Sequence, residues 1–176
     1  MILYKRNSLY SAQKFRQLRY GRGRGIHSPK AYSMVQMLLR PHASYYHFEE
    51  YSFLFSNPLY QLLYRAIARL QPQVVILLDQ DCRLERIVRL ASTTVMIADQ
   101  MPLDLNNTLV ISKNVVDLEL TESTYLILTD IRRTKRAEKV FYEWVDKIPS
   151  GIILDFYDAS LIVGMNKVKY VYRTTL

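Results

Sequence analysis

Val74-Val75-Ile76-Leu77-Leu78-Asp79-Gln80-Asp81-Cys82 is the stretch from which the architecture follows. Its first five residues are continuously apolar and partly β-branched. A strand with one wet face alternates apolar and polar residues. An unbroken apolar run instead suits a strand buried on both faces, in a parallel sheet covered by helices. Just upstream, Asn57-Pro58 is a helix-start signal, and Leu59, Leu62, Leu63, Ala66, Ile67 and Leu70 keep helical spacing up to Gln71-Pro72-Gln73. Just downstream, Leu84, Ile87, Val88 and Ala91 predict a short helix. A helix–strand–helix alternation around a buried strand is the unit of an α/β fold.

The same reading extends along the chain. Ser28-Pro29 with Ala31, Met34, Val35 and Leu38 predicts a helix from Pro29 to Arg40, stopped by Pro41. The aromatic stretch of residues 42–56 reads as a loop or short helix packed on the body. Thr94 to Ala98 predicts a second buried strand, Leu109-Val110-Ile111 a weaker third, and Tyr125 to Thr129 a strong fourth. Ala137, Val140, Phe141, Trp144, Val145 and Ile148 predict an amphipathic helix ended by Pro149-Ser150-Gly151. Ile152-Ile153-Leu154, Leu161-Ile162-Val163 and Val168 to Arg173 are short strands that read as a closing antiparallel hairpin. The expected fold is α/β and Rossmann-like: a doubly wound, mostly parallel sheet with a C-terminal antiparallel hairpin at its edge and N-terminal helices.

At 176 residues, the chain suits one domain, and 49% hydrophobic residues supply a sizeable core. Charge is unevenly spread. Residues 1–40 hold nine of the 24 basic residues and no acidic one, leaving 15 basic against 16 acidic residues elsewhere. Residues 1–27 therefore read as a basic arm and 28–176 as the α/β domain. Such an arm suits an anionic contact, such as nucleic acid or a phosphate group. The single cysteine, Cys82, excludes an intrachain disulfide and any Cys-x-x-Cys metal site. The longest aliphatic run falls far short of the roughly 20 residues that span a bilayer. Charge at Lys5 and Arg6 precedes any apolar stretch, so no signal peptide is read and a cytoplasmic location is expected, without a membrane.

Several stretches in order resemble a bacterial subgroup of class I S-adenosylmethionine-dependent methyltransferases. The residues that carry the likeness are Gly25-Ile26-His27-Ser28-Pro29 after a basic segment, and Tyr45-Tyr46-His47-Phe48-Glu49-Glu50. Leu62 through Leu77, Thr129-Asp130-Ile131 ahead of a helix holding Trp144, and the closing hairpin complete the series. The resemblance covers residues 19–100 and 124–176, with a much shortened middle. It implies a Rossmann-like sheet, and an S-adenosylmethionine site if the ancestral one survives, with Asp79, Asp81, Asp99 and Asp130 as cofactor-binding residues. Asp99 ends the second strand, where the class often holds ribose hydroxyls.

The sequence departs from that pattern at the cofactor loop. The class places glycines at the turn after the first strand, so that backbone approaches the cofactor without a side chain in the way. Here the turn is Asp79-Gln80-Asp81-Cys82, and no glycine occurs between Gly25 and Gly151. Gln80, Asp81 and Cys82 are expected to fill the ligand's space, and two carboxylates repel a cofactor carboxylate by about 1 kcal/mol at 4 Å in water. Lys30 stands where the subgroup favours an aromatic. The expectation is a degenerate, non-catalytic methyltransferase-like domain without a cofactor, acting through a protein partner or as a homodimer. The alternatives are an active methyltransferase of unknown acceptor, or nucleic-acid binding through the arm.

Each candidate residue also has a structural reading. Asp79, Asp81 and Asp99 suit solvated strand ends facing helix N-termini, and the Asp79/Asp81 pair is a weak signal for a hard cation such as Mg²⁺. Asp130, followed by Ile131-Arg132-Arg133, is expected to form an ion pair or cap a helix. His27, His42 and His47 lack metal-ligand spacing, so no metal is expected, and His27 is read as packing or hydrogen-bonding in its turn. Arg16, Arg19, Arg22 and Arg24, interleaved with Phe15 and Tyr20, are candidates with His27 for anion or nucleic-acid contact, since arginine grips phosphate and tyrosine stacks on bases.

Overall fold

The computed structural model describes residues 26–39, 45–102, 104–164 and 168–174. The first half contributes helices α1 (Pro29–Leu39), α2 (Tyr46–Glu50), α3 (Ser52–Phe55) and α4 (Pro58–Leu70), then strand β1 (Val74–Leu77), helix α5 (Cys82–Ala91) and strand β2 (Met96–Ala98). The second half holds β3 (Thr108–Ser112), β4 (Thr124–Thr129), α6 (Lys135–Lys147), β5 (Gly151–Asp155), β6 (Ala159–Val163) and β7 (Lys169–Arg173). All seven strands join one mixed sheet in the order β2-β1-β3-β4-β6-β5-β7. Only β6 runs against the others, pairing antiparallel with both β4 and β5. Among the described residues no helix is long and apolar enough to cross a membrane.

The sheet is buried on both faces, as its apolar runs require. Val75, Leu77, Leu109, Ile111, Ile127, Ile152, Leu154 and Leu161 point into a core shared with α1 and α3–α5. Their strand neighbours Ile76, Val110, Leu126, Leu128, Ile153 and Ile162 point the other way, onto Phe141 and Val145 of α6. This alternation is the period-2 geometry of a strand acting on two cores at once. The short middle of the chain completes the second layer without a helix. Leu105, Val115, Leu118 and Leu120, from the coil segments flanking β3, pack on the α6 side of the sheet.

The helix-start signals act as read. Asn57 Oδ1 accepts from Leu59 N–H at 3.0 Å, and Ser28 Oγ from Ala31 N–H at 3.3 Å. The aromatic stretch forms α2 and α3, whose Phe48 and Phe55 pack with Tyr45 and Tyr64 at ring separations of 4.5 to 5.4 Å. Arg40, Pro41 and His42 lie outside the described residues.

Two expectations need correction. The second strand is not buried: it begins at Met96, occupies the sheet edge, and leaves Met96 64% exposed. The third strand, weakly signalled, forms as expected and extends to Thr108 and Ser112, fully buried because it lies between β1 and β4. The antiparallel strand is not at the edge. β5 and β6 form the hairpin, β6 inserts between β5 and β4, and β7 closes that side by pairing parallel with β5.

Gly164 follows β6 where the backbone of residues 120–121 crosses. A Cβ there would meet Thr121 O at 2.1 Å and the Leu120 carbonyl carbon at 2.7 Å. Those contacts are backbone and cannot swing aside. Gly164→Ala is expected to cost about 1–3 kcal/mol, read as a lower urea midpoint with an unchanged slope.

Candidate functional site

In an open α/β sheet, ligands bind outside the carboxyl ends of the strands where the strand order reverses. Here that point lies between β1 and β3, because β2 flanks β1 on one side and β3 on the other. The chain places Asp79 at the end of β1 and Lys113 at the end of β3. Ser112 Oγ accepts from Asn114 N–H at 3.0 Å and donates to Asn114 O at 2.8 Å, setting a tight turn after β3. Lys113 N–H then donates to Asp79 Oδ2 at 2.6 Å. One residue earlier, Leu78 N–H donates to Ile111 O at 3.2 Å. The β1–β3 pairing thus runs past both strands, and a carboxylate bridges the crevice.

Asp81 is occupied in a similar way. It caps α5, its Oδ1 accepting from Arg83 N–H at 2.9 Å and from Arg83 Nε at 3.3 Å. Burial pushes the Asp81 pKa up, but the Arg83 hydrogen bonds and the charges of Arg83 and Lys113 outweigh it and hold the carboxyl below its usual range. The amide end of α5, where an anionic ligand would bind, already holds a carboxylate of this chain.

A cleft of about 760 Å³ remains beside this turn, lined by Leu77, Asp79, Gln80, Asp81, Cys82, Ile97, Ala98 and Asp99, with Glu85 and Arg89 at its rim. Gln80, Asp81 and Cys82, expected to fill a ligand's space, all line this cleft. Asp81 turns back to cap the helix, and Gln80 and Cys82 are exposed. Glu85 is paired with Arg89 at 2.8 Å. Three further carboxylates, Asp79, Asp81 and Asp99, line it beside the apolar Leu77, Ile97 and Ala98, and Asp99 is exposed.

The structure brings Asp79, Asp81 and Asp99 together and sets Asp130 apart from that cleft. Among the described residues Asp130 neither caps α6 nor forms an ion pair: Thr134 Oγ1 is the cap, accepting from Ala137 N–H at 3.0 Å. Asp130 instead takes a left-handed backbone, φ 56°, and its carbonyl accepts from Arg133 N–H at 3.0 Å. Aspartate tolerates that conformation better than most residues. His27 is exposed in the turn before α1, and His47 Nδ1 lies 2.9 Å from the Tyr64 hydroxyl. Among the described residues no three His, Cys, Asp or Glu side chains gather as a metal site. Arg16, Arg19, Arg22 and Arg24 lie outside the described residues.

A second polar centre was not read from the sequence. Asp155, at the end of β5, is 2% exposed and takes a bidentate grip from Arg132, Nη1 to Oδ1 at 2.8 Å and Nη2 to Oδ2 at 2.6 Å. Arg132 Nε also donates to Glu138 at 2.9 Å, and its guanidinium bonds the Tyr157 carbonyl and the Tyr142 hydroxyl. Tyr142 O–H and Tyr157 N–H both donate to Asp155, at 3.2 and 2.9 Å. Burial pulls the Arg132 pKa down, but the Asp155 carboxylate reverses this and holds it above its ordinary value. Burial and the Asp155 charge together push the Tyr142 phenol up. The pair spans 23 positions, so no local pattern announces it.

No family model matches this chain, and neither a curated protein nor a solved structure matches it significantly.

Two predictions follow from these two centres. Asp81→Ala is expected to lower stability by about 1 kcal/mol through loss of the cap, and Asp81→Asn by less. Because the folded Asp81 pKa is depressed, its contribution is complete above the unfolded carboxylate pKa and fades as pH falls through the folded value. Thermal melts of parent and Asp81→Asn should therefore converge in acid. Asp155→Ala strips the mostly buried guanidinium of its bidentate partner, leaves it only the monodentate Glu138, and should cost about 3 kcal/mol, whereas the double change Arg132→Met with Asp155→Leu should cost less than either single one. Denaturant titrations of the three variants measure the difference.

Proposed function

We propose that this chain is a Rossmann-like, methyltransferase-like domain that has given up cofactor chemistry and works by binding, to a protein partner or to a second copy of itself. The observation that carries the reading is the Asp79–Lys113 hydrogen bond across the strand-order reversal. A cofactor seated there would have to break a bridge whose acceptor is charged, and such bonds are about twice as strong as neutral ones. The capping of α5 by Asp81 supports the same reading. So does the concentration of carboxylates around the remaining cleft, since a cofactor carboxylate would meet charges of its own sign.

A binding role has a surface to act through. β7 is a sheet edge, and Val168, Tyr170 and Val171 beside it are 36–44% exposed. Among the described residues its outer backbone groups pair with no further strand, which suits addition of a partner's strand. A cytoplasmic setting accords with the single, exposed and reduced Cys82.

The competing reading is an active S-adenosylmethionine-dependent methyltransferase, and the open cleft with Asp99 in its lining favours it. Titration calorimetry with S-adenosylmethionine and S-adenosylhomocysteine at about 0.15 M salt separates the two. The proposal expects no heat of binding from either ligand. Saturable binding at micromolar concentrations, abolished by Asp99→Ala, would overturn it and restore the enzyme.

A further inference from the structure

The connection from β3 to β4 is built differently from the rest of the fold. These neighbouring strands run parallel, a pairing usually joined by a crossover helix, yet residues 113–123 join them without one. Within the connection Leu118 and Leu120 pack on the α6 side of the sheet, while Asp117 and Glu119 are exposed. That alternation is the period of an extended segment. A helix is about 10 Å across, and an extended chain takes up about half of that beside its neighbour. The layer is therefore thin next to α6, and a trough of about 630 Å³ lies between the segment and the end of that helix.

The trough combines three features. Its first wall is unpaired backbone: among the described residues, the N–H and C=O groups of residues 115–120 make no hydrogen bond within the chain. Such groups have the character of a strand edge, to which another strand adds. The second feature is apolar lining, from Leu118, Trp144, Ile148 and Pro149. Trp144, the chain's only tryptophan, packs on the core and stays half-buried. The third is charge. Asp117 and Glu119 also line the trough, and among the described residues neither forms an ion pair, even with Lys147 on the α6 side.

An extended peptide laid beside residues 115–120 sets alternate side chains opposite Asp117 and Glu119, and the others on the side of Leu118 and Trp144. Its matching pattern is cation, apolar, cation. Among the described residues the chain's own sheet edges lack that pattern. β2 has no cation. β7 holds Lys169 and Arg173 four positions apart, and Lys169 is bound to the Val145 carbonyl. A second copy therefore fits the trough poorly.

We propose that this trough takes an extended segment of a partner protein, paired through its backbone with residues 115–120 and alternating basic with apolar side chains. The inference rests on the binding reading above and deepens it by naming a surface and the partner's chemistry. The trough shares no lining residue with the acidic cleft.

The test titrates a capped peptide of about seven residues, alternating lysine and valine, into the full chain while Trp144 emission is followed. The parent should show a saturable shift to shorter wavelength with a Kd of about 100 µM or tighter. The same peptide with glutamate in place of lysine should give none. Joint Asp117→Asn and Glu119→Gln should weaken binding about tenfold, through two lost cross-strand charge pairs. Their melting midpoint should match the parent's, because both positions are exposed. A strand presents alternate amides to each side, so methylating the peptide's lysine amides or its valine amides should abolish binding in one case and spare it in the other. No emission change up to about 1 mM peptide overturns the proposal. Equal binding by the two methylated peptides also overturns it and assigns the contact to charge alone. Concentration-dependent self-association that the joint variant abolishes overturns it as well and gives the trough to a second copy. A silent peptide beside a silent cofactor titration removes the trough and leaves the binding reading standing.

Discussion

The Arg132–Asp155 pair is the joint on which the second half of the molecule depends. Asp155 ends β5 and Arg132 lies in the turn that follows β4, and β6 keeps those two strands apart. The guanidinium also reaches α6 through Glu138 and Tyr142, and the hairpin tip through Tyr157. Arg173 brings β7 within 3.9 Å of the same carboxylate. A reversed strand inside a parallel sheet needs a crossing on each side of it, and this pair fixes both crossings from the carboxyl edge. A planar guanidinium with five donors suits the task, because a lysine could not hold the carboxylate, Glu138 and the Tyr157 carbonyl at once.

The carboxyl edge of the sheet is divided by charge. Around β1 and β2 it carries Asp79, Asp81 and Asp99, and two of these already accept hydrogen bonds from the chain's own backbone. Around α6 and β7 the acids are consumed inside the fold and the cations are left facing solvent. Glycines at the first turn would leave amides for a ligand. Aspartates there satisfy the amides themselves, so the absence of glycine and the presence of Asp79 and Asp81 work in the same direction.

Elements with local signals were legible. Helices α1, α4 and α6 lie where periodicity and caps put them, since an amphipathic stripe and an N-cap are written within a dozen residues. Strands β1 and β4 were legible for the same reason. What failed depends on neighbours far along the chain. Val95-Met96-Ile97 and Leu109-Val110-Ile111 look alike as short apolar runs, yet one is an edge and one is central. Strand order decides this, and no run encodes it. The placement of β7 beside β5 rather than β6 escaped for the same reason.

The candidate residues divide along the same line. Asp79, Asp81 and Asp99 were found because they end predicted strands or begin predicted helices, and strand ends share one edge of a parallel sheet. That reasoning could place the three aspartates but not the backbone amides from which Asp79 and Asp81 accept. Asp155 also ended a predicted strand, but its meaning lies in Arg132, Glu138 and Tyr142, which only the folded sheet gathers. Once gathered, they change the sign of the neighbouring surface. Arg132 and Arg133 are consecutive and chemically identical, but the first is buried among acids and the second stands exposed. The fold uses one arginine to hold its strand ends together, and the next one faces solvent.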